Sequence, residues 1–490
     1  MRFWISVHLP LLPLETFRPR WSDPGLHVVV DREQVLAVST EAAVAGVRIG
    51  MRGGSVAAIA PDAVLYQYDP VKEQEAIDSI AMAMLQYTPE VAHTAERILV
   101  LDVTASLRAF DGRLALVRLV RASIAALGFT SCIGTAPTAQ GAWLLSRYAL
   151  SQHGSKWRRS IKLATLARRL DALPLTVLPD TRPYQQWFEG IGCQTLADIK
   201  RLPRAGLQRR THKSVLDALD RAYGQEHELF EWVQVAQTFA AKLELPDRID
   251  YAEAVLFAAR RLILQMTGWL VAQQRAVSRF VLLLEHERGR MAIEPTLVDI
   301  MLAEPAWHES HLLRLLKERL GRMELVAPVI GLRLTAVHLE PMLPPTQSLF
   351  PEPGGSAADF NRLIELLTAR LGRESVLVPA PVADHRPESC NGWRPAAETA
   401  KTGFRLPEDL VRPFMLLDKP IALLLREHRP FYGAPLRLIS GPERIEAGWD
   451  DGVLAVRDYF VAEGSEGVCY WIYRERADQE AHWYLHGFFA

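Results

Sequence analysis

The chain opens on an alternation. Phe3, Ile5, Val7 and Leu9 interleave with Trp4, Ser6 and His8, so Arg2 to Leu9 reads as a strand with Trp4, Ser6 and His8 on one face. A helical stretch near Gln74 to Tyr87 leads to a second strand, Ile98 to Val103, and helix, strand and helix recur to about Ala172. This pattern predicts a mixed α/β layer. From about Leu173 to Gly224 the pattern is helical. Within it Gly190-Ile191-Gly192, followed by Thr195 to Ile199, reads as a tight turn between two helices, a helix-hairpin-helix.

Residues 239–340 predict another unit: strand (Phe239 to Leu245), long helix (Tyr251 to Gln274), strand (Val277 to Glu285), strand (Thr296 to Leu302), helix (His308 to Arg322) and strand (Val329 to His338). A βαββαβ order fits a small α+β domain. Pro341 to Gly355 is a linker by composition, Phe360 to Leu371 a short helix before a Pro-rich stretch, and the chain beyond about Phe404 is strand-rich.

Composition changes this picture little. With 490 residues the chain exceeds what one core organises, and 49% apolar and 23% charged residues are ordinary for a soluble globular protein. A net charge of −1 means that any nucleic-acid surface must be a local patch. Cys132, Cys193, Cys390 and Cys469 are scattered without a CxxC pair, which predicts neither a zinc site nor a disulfide framework and suits a cytoplasmic location. The N-terminus lacks a cleavage site, and no stretch is expected to reach the roughly 18 apolar residues of a membrane helix.

Three motifs, in order, carry a resemblance. Ser39 to Met51 (STEAAVAGVRIGM) resembles the fingers motif of Y-family translesion DNA polymerases, Leu101 to Gly112 their palm segment, and Cys132 to Ala149 the palm motif that follows. The resemblance implies an α+β multidomain right hand: palm over 1–10 and 75–172, fingers over 11–74, a helix-hairpin-helix thumb over 173–235 and a βαββαβ little finger over 236–340. A linker (341–358), a helix with Pro-rich connector (359–403) and a strand-rich region (404–490) complete the chain. Leu367 to Glu388, Ser440 to Gly452, Val456 to Glu463 and the terminal WYLHGFFA resemble the C-terminal region of the ImuB family, polymerase-like subunits of bacterial mutagenesis complexes.

The resemblance also locates a polymerase's metal site. Two-metal phosphoryl transfer requires bridging carboxylates, and magnesium prefers hard oxygen ligands. In active relatives an Asp-x-Asp stands nine residues ahead of a Glu; counting back from Glu15 lands on Ser6 and His8. The Asp-Glu pair of the palm falls on Arg97 and Ile98, which leaves Asp102 as a later strand-end Asp. A shifted register makes Asp102 the residual catalytic candidate. The fingers Tyr and Arg that meet the triphosphate fall on Thr40 and Ala43, and the palm Lys falls on Ala139. The expectation is no catalysis and no cofactor, with magnesium required only if the alternative, an active translesion polymerase, holds.

DNA contacts are expected from Gly190, Gly192, Lys200, Arg201, Arg204, Arg209 and Arg210, through hairpin amides and flanking cations. Lys156, Arg158, Arg159 and Lys162 form a second basic run. Gln347, Leu349 and Phe350 sit in the Pro-flanked linker and resemble the sliding-clamp motif Q-L-x-L-F, with the Gln one position close. The aromatic tail predicts a small β domain. By resemblance it contacts a RecA-like accessory protein and an error-prone C-family polymerase, which gives a non-catalytic scaffold in damage-induced, SOS-type translesion synthesis.

Overall fold

Strand β1 (Trp4–His8) forms where the alternation predicts it, and its neighbours account for both of its faces. The structure, a computed structural model, describes residues 2–20, 22, 24–148, 158–287, 293–342, 357–396, 412–449, 452–465, 467–476 and 482–489. From β1 a one-turn helix α1 (Leu12–Glu15) leads into the fingers: β2 (His27–Asp31), β3 (Gln34–Val38), α2 (Thr40–Val44), α3 (Gly53–Ile59) and β4 (Val64–Gln67). Ser39 caps α2 by accepting from Ala42 N at 3.2 Å. The chain returns to the palm through α4 (Pro70–Met84), β5 (Val91–Thr94), β6 (Ile98–Asp102), α5 (Arg113–Ala126), β7 (Cys132–Ala136) and α6 (Ala139–Tyr148).

The palm sheet has the order β5-β6-β1-β7. On one face Ile5, Val7, Leu99 and Leu101 pack with Ile80 and Met84 of α4 and Leu116 and Val120 of α5. On the other, Trp4, Ile98, Val100 and Ala136 pack with α6 and the thumb. Continuous apolar sequence in β6 therefore marks a strand buried on both sides, not an amphipathic one.

The thumb follows as α7 (Leu163–Asp171), α8 (Gln185–Gly190), α9 (Leu196–Arg201), α10 (Arg204–Arg210) and α11 (Lys213–Tyr223). Gly192 takes φ 75° in the α8–α9 turn, a left-handed conformation that glycine adopts without steric cost. A capping box between Thr195 and Asp198 starts α9. The segment after α11 is fixed to the palm: Val233 N donates to Val91 O at 2.8 Å, and Trp232 stacks on Trp4.

The little finger is β8 (Ala240–Ile249), α12 (Ala252–Ala272), β9 (Arg275–His286), β10 (Thr296–Ala306), α13 (Glu309–Leu320) and β11 (Val329–Pro341), with sheet order β10-β9-β11-β8. β8 runs past Pro246 to Ile249 because it is an edge strand, where proline forfeits no ladder bond. Helix α12 corrects one expectation. Over its 21 residues it is long and apolar enough, by composition, to cross a membrane. It is apolar almost all round because it is enclosed, lying between its own sheet and palm helix α4.

The described chain divides into two compact units, 1–361 and 362–490, the division falling within the residues of α14 (Ala357–Leu371). The second unit pairs β12 (Leu377–Pro381) with β13 (Asn391–Pro395). Beside these it builds a sheet from β14 (Met415–Arg426), β15 (Arg429–Tyr432), β16 (Ala434–Pro435), β17 (Arg437–Leu438), β18 (Glu443–Ala447), β19 (Ala455–Glu463), β20 (Cys469–Glu475) and β21 (Trp483–Phe488). The tail aromatics Tyr459, Trp471 and Tyr473 form one of its cores, so these are packing residues.

Candidate functional site

Ser6 lies at the centre of the palm sheet with no exposed surface. Its register partner on β7 is Gly134, and α6 crosses so closely there that a Cβ on Gly134 would collide with Ala142 O and stand 2.5 Å from Ser146 N. The hydroxyls of Ser6 and Ser146 are 2.9 Å apart, and Ser146 Oγ donates to Trp143 O at 2.8 Å. Ser6 is therefore the donor of the pair, and its proton is committed to the helix that roofs it.

His8 pairs with Ile98 on one side and Cys132 on the other. Burial, then the nearby Arg147 and Arg97, hold its pKa down to about 4, so the imidazole is neutral at pH 7. Its Nδ1 is buried without a hydrogen-bond partner among the described residues. Arg97 sits in the β5–β6 turn, where Glu96 and Arg97 both take left-handed φ values, 63° and 61°. Two carboxylates approach, and both are held by cations: Arg97 Nε binds Glu73 at 2.8 Å, while Glu96 is bound by Arg147 and, at 2.8 Å, by Arg182.

Magnesium would need hard anionic oxygens here. A committed hydroxyl, a neutral imidazole beside two guanidiniums, an arginine and an isoleucine do not fit it. Among the described residues no three His, Cys, Asp or Glu side chains group as a metal-ligand set.

Asp102 shares the face of Ser6 but pairs with Trp4, whereas Val100 is the residue opposite Ser6. Two residues along a strand put it about 7 Å from that position. Its Oδ1 accepts from Thr104 N at 3.0 Å and from the Thr104 hydroxyl, which itself accepts from Phe3 N at 2.9 Å. This side-chain turn closes the end of β6, the strand-end reading of the preferred register.

Thr40 and Ala43 lie on α2, where the Ala43 carbonyl accepts from Arg48 Nη1 at 2.6 Å. Ala139 is buried at the start of α6. That helix end holds a residue that sequence reasoning missed. Glu228, from the thumb-to-little-finger connection, accepts from Gln140 N at 3.0 and 2.9 Å, so a carboxylate of the chain itself sits on the α6 N-terminus. Burial pushes its carboxyl up to about 7, against the lowering effects of the Gln140 amide and Arg221. No local motif marks such a residue, because its partner lies far away in sequence.

The raised pKa gives a pH prediction with a definite sign. A carboxyl whose folded pKa exceeds its unfolded value contributes stability below about 4.5 that is lost as pH rises through about 7. Relative to Glu228→Gln, the wild type should lose on the order of 2–3 kcal/mol between pH 4.5 and 8. Urea unfolding of both proteins across that range measures it, and parallel pH curves would refute the assignment.

In the thumb, the hairpin amides are already used. Ile191, Gly192 and Cys193 N–H groups donate to carbonyls of residues 187–189, and those of Gln194 and Thr195 donate to Asp198. The expectation that these amides reach phosphate is therefore corrected: the turn bonds to itself. Lys200 lies 3.7 Å from Asp171 and over the Tyr223 ring at 4.1 Å, and Arg204 grips Asp220 at 2.8 and 2.5 Å. Arg201 keeps an exposed pairing with Asp198 at 3.6 Å. Arg209 and Arg210, on the last turn of α10, are exposed. Arg201, Arg209 and Arg210 thus stand exposed on the hairpin. Gln347, Leu349 and Phe350, like Lys156, lie outside the described residues.

Palm, fingers, helical thumb and βαββαβ little finger in this order define the class: the fold is that of a Y-family polymerase hand with a C-terminal β extension. Residues 16–147 match the model of the impB/mucB/samB family. The chain is a homologue of "Protein ImuB" from Caulobacter vibrioides (strain NA1000 / CB15N), 25% identical over 471 residues that cover 90% of this chain and 99% of the relative. The protein of the same name from strain ATCC 19089 / CIP 103742 / CB 15 matches equally. Among solved structures, the insertion ternary complex of Dbh DNA polymerase is 19% identical, covering 68% of this chain and 99% of that one with a TM-score of 0.39. The post-insertion binary complex of Dbh matches with 19% identity, 68% and 98% coverage and a TM-score of 0.38. The similarity to ImuB and the family domain together support a role associated with translesion synthesis and mutagenesis.

Proposed function

We propose that the chain is a non-catalytic scaffold of damage-induced translesion synthesis, which binds DNA and the sliding clamp and recruits an error-prone C-family polymerase together with a RecA-like accessory protein. One observation carries the non-catalytic part: the palm positions aligned with metal ligands hold Ser6 under a helix and His8 between Arg97 and Arg147, while Glu73 and Glu96 are tied up by arginines. Bridging carboxylates for a pair of metal ions cannot be assembled from that set. The occupied α6 N-terminus supports the same reading for triphosphate binding, since Glu228 already takes the Gln140 amide there.

Primer extension with purified full-length protein, magnesium and all four deoxynucleotides tests it. No extension is expected, whereas salt-sensitive binding to the same primer-template is. Extension that survives removal of contaminating polymerases would establish the rival, an active polymerase using Asp102. For the clamp, Leu349→Ala with Phe350→Ala should abolish pull-down by the sliding clamp, and retained binding would refute that assignment.

A further inference from the structure

Between Asp111 and Asp171 the sequence contains no acidic residue and ten Lys or Arg, although the whole chain carries a net charge of −1. The fold gathers part of this stretch onto one edge of the palm. Strand β7 is the outer strand of its sheet, and residues 158–160 add to it: Thr135 N donates to Arg158 O at 2.8 Å and Ser160 N to Thr135 O at 2.8 Å. Arg158 and Arg159 are thereby set beside α5, whose exposed side presents Arg118 and Arg121. Burial first, then repulsion from Arg159 and Arg158, lowers the pKa of Arg121, so these guanidiniums lie within electrostatic reach of one another. Helix α7 joins them, its Arg169 guanidinium donating to the Arg159 carbonyl.

We infer that this edge, from Arg118 and Arg121 on α5 through Arg158 and Arg159 to Arg169 on α7, is a second nucleic-acid-binding surface that grips a phosphate backbone. Like charges gathered on one exposed edge create a local positive potential that draws anions, whatever the net charge of the whole chain. Guanidinium groups suit phosphate oxygens because each offers paired N–H donors in one plane. Exposed Leu114 and Leu119 on α5 are what an acidic amphipathic protein segment would use. Phosphate is favoured by continuity: α7 packs against α9, so the cationic edge runs on into the thumb hairpin. The inference rests on the DNA-binding part of the proposed function and extends the contact beyond the hairpin itself.

The test is fluorescence anisotropy of the full-length chain with labelled primer-template and single-stranded DNA, between about 50 and 200 mM salt. Arg121→Glu with Arg159→Glu removes two phosphate contacts. It should lower the slope of log affinity against log salt by about two and weaken binding roughly 10- to 100-fold at low salt. Arg121→Gln with Arg159→Gln, matched to wild type in thermal unfolding, should weaken binding in the same direction and guards against misfolding. Arg209→Glu with Arg210→Glu serves as the thumb comparison. If the thumb variant weakens binding while both edge variants match wild type, the edge inference is overturned and DNA binding stands. The edge inference is overturned equally if its variants keep DNA and lose only an acidic protein partner. If the wild type binds no DNA, the proposed function falls with it.

Discussion

Replacing Ser6 with Asp is expected to destabilise the protein by about 3–5 kcal/mol, the range for a buried charge left without a partner. Ser6 has no exposed surface, and its one side-chain contact of note is a hydroxyl on a helix that Gly134 allows to lie directly on the sheet. A carboxylate there would lose its hydration and face Ser146, whose own proton is already given to Trp143. Ser6→Ala should cost only about 1 kcal/mol, the net value of the hydrogen bond. Urea unfolding separates the two, and an Asp variant as stable as wild type would mean that α6 lifts away readily. For the same reason, combining Ser6→Asp, His8→Asp, Arg97→Asp and Ile98→Glu should not restore primer extension. The roof, not only the side chains, differs from what metal ions would require.

The second large effect is expected at Gly268. Helix α12 crosses palm helix α4 at this residue, and a Cβ there would collide with the Met82 carbonyl oxygen and stand 2.9 Å from its carbon. Because the obstruction is backbone, no rotamer relieves it. Gly268→Ala should therefore separate the helices at a cost of about 3 kcal/mol, the upper end for overpacking. A fall in Tm should accompany faster proteolysis in the connection between thumb and little finger, which is otherwise fixed by the Val233–Val91 hydrogen bond. An unchanged Tm and cleavage rate would show that the packing of α12 on α4 does not hold the little finger to the palm. Nearby, Glu15 accepts from Thr130 N at 2.8 Å, and Arg261 of α12 lies over the Phe129 ring at 4.6 Å. The residue that served as the register marker in the sequence is thus a buried anchor of the palm.

Much of the hand was legible because local rules govern it. Period-two alternation marked β1, the order of strands and helices marked the little finger, and Gly190-Ile191-Gly192 ahead of Thr195 to Ile199 marked the hairpin. Strand β5 escaped because four residues, Val91 to Thr94, are too few to show a period. Helix α12 was read correctly as a helix, but its apolar circumference reflects two packing partners that composition does not name.

The sequence by itself determined which residue types stand at the positions that the preferred register aligns with metal ligands: a serine, a histidine, an arginine and an isoleucine. It also determined the acid-free stretch between Asp111 and Asp171, since charge is a property of the residues alone. Only the tertiary structure decided what those residues face. It put α6 over Ser6, brought Glu228 to a helix end 88 residues away, and locked Arg204 onto Asp220 while leaving Arg209 and Arg210 exposed. Such pairings depend on which elements meet. That is set by the burial of apolar faces across the whole hand, and no window of sequence contains it.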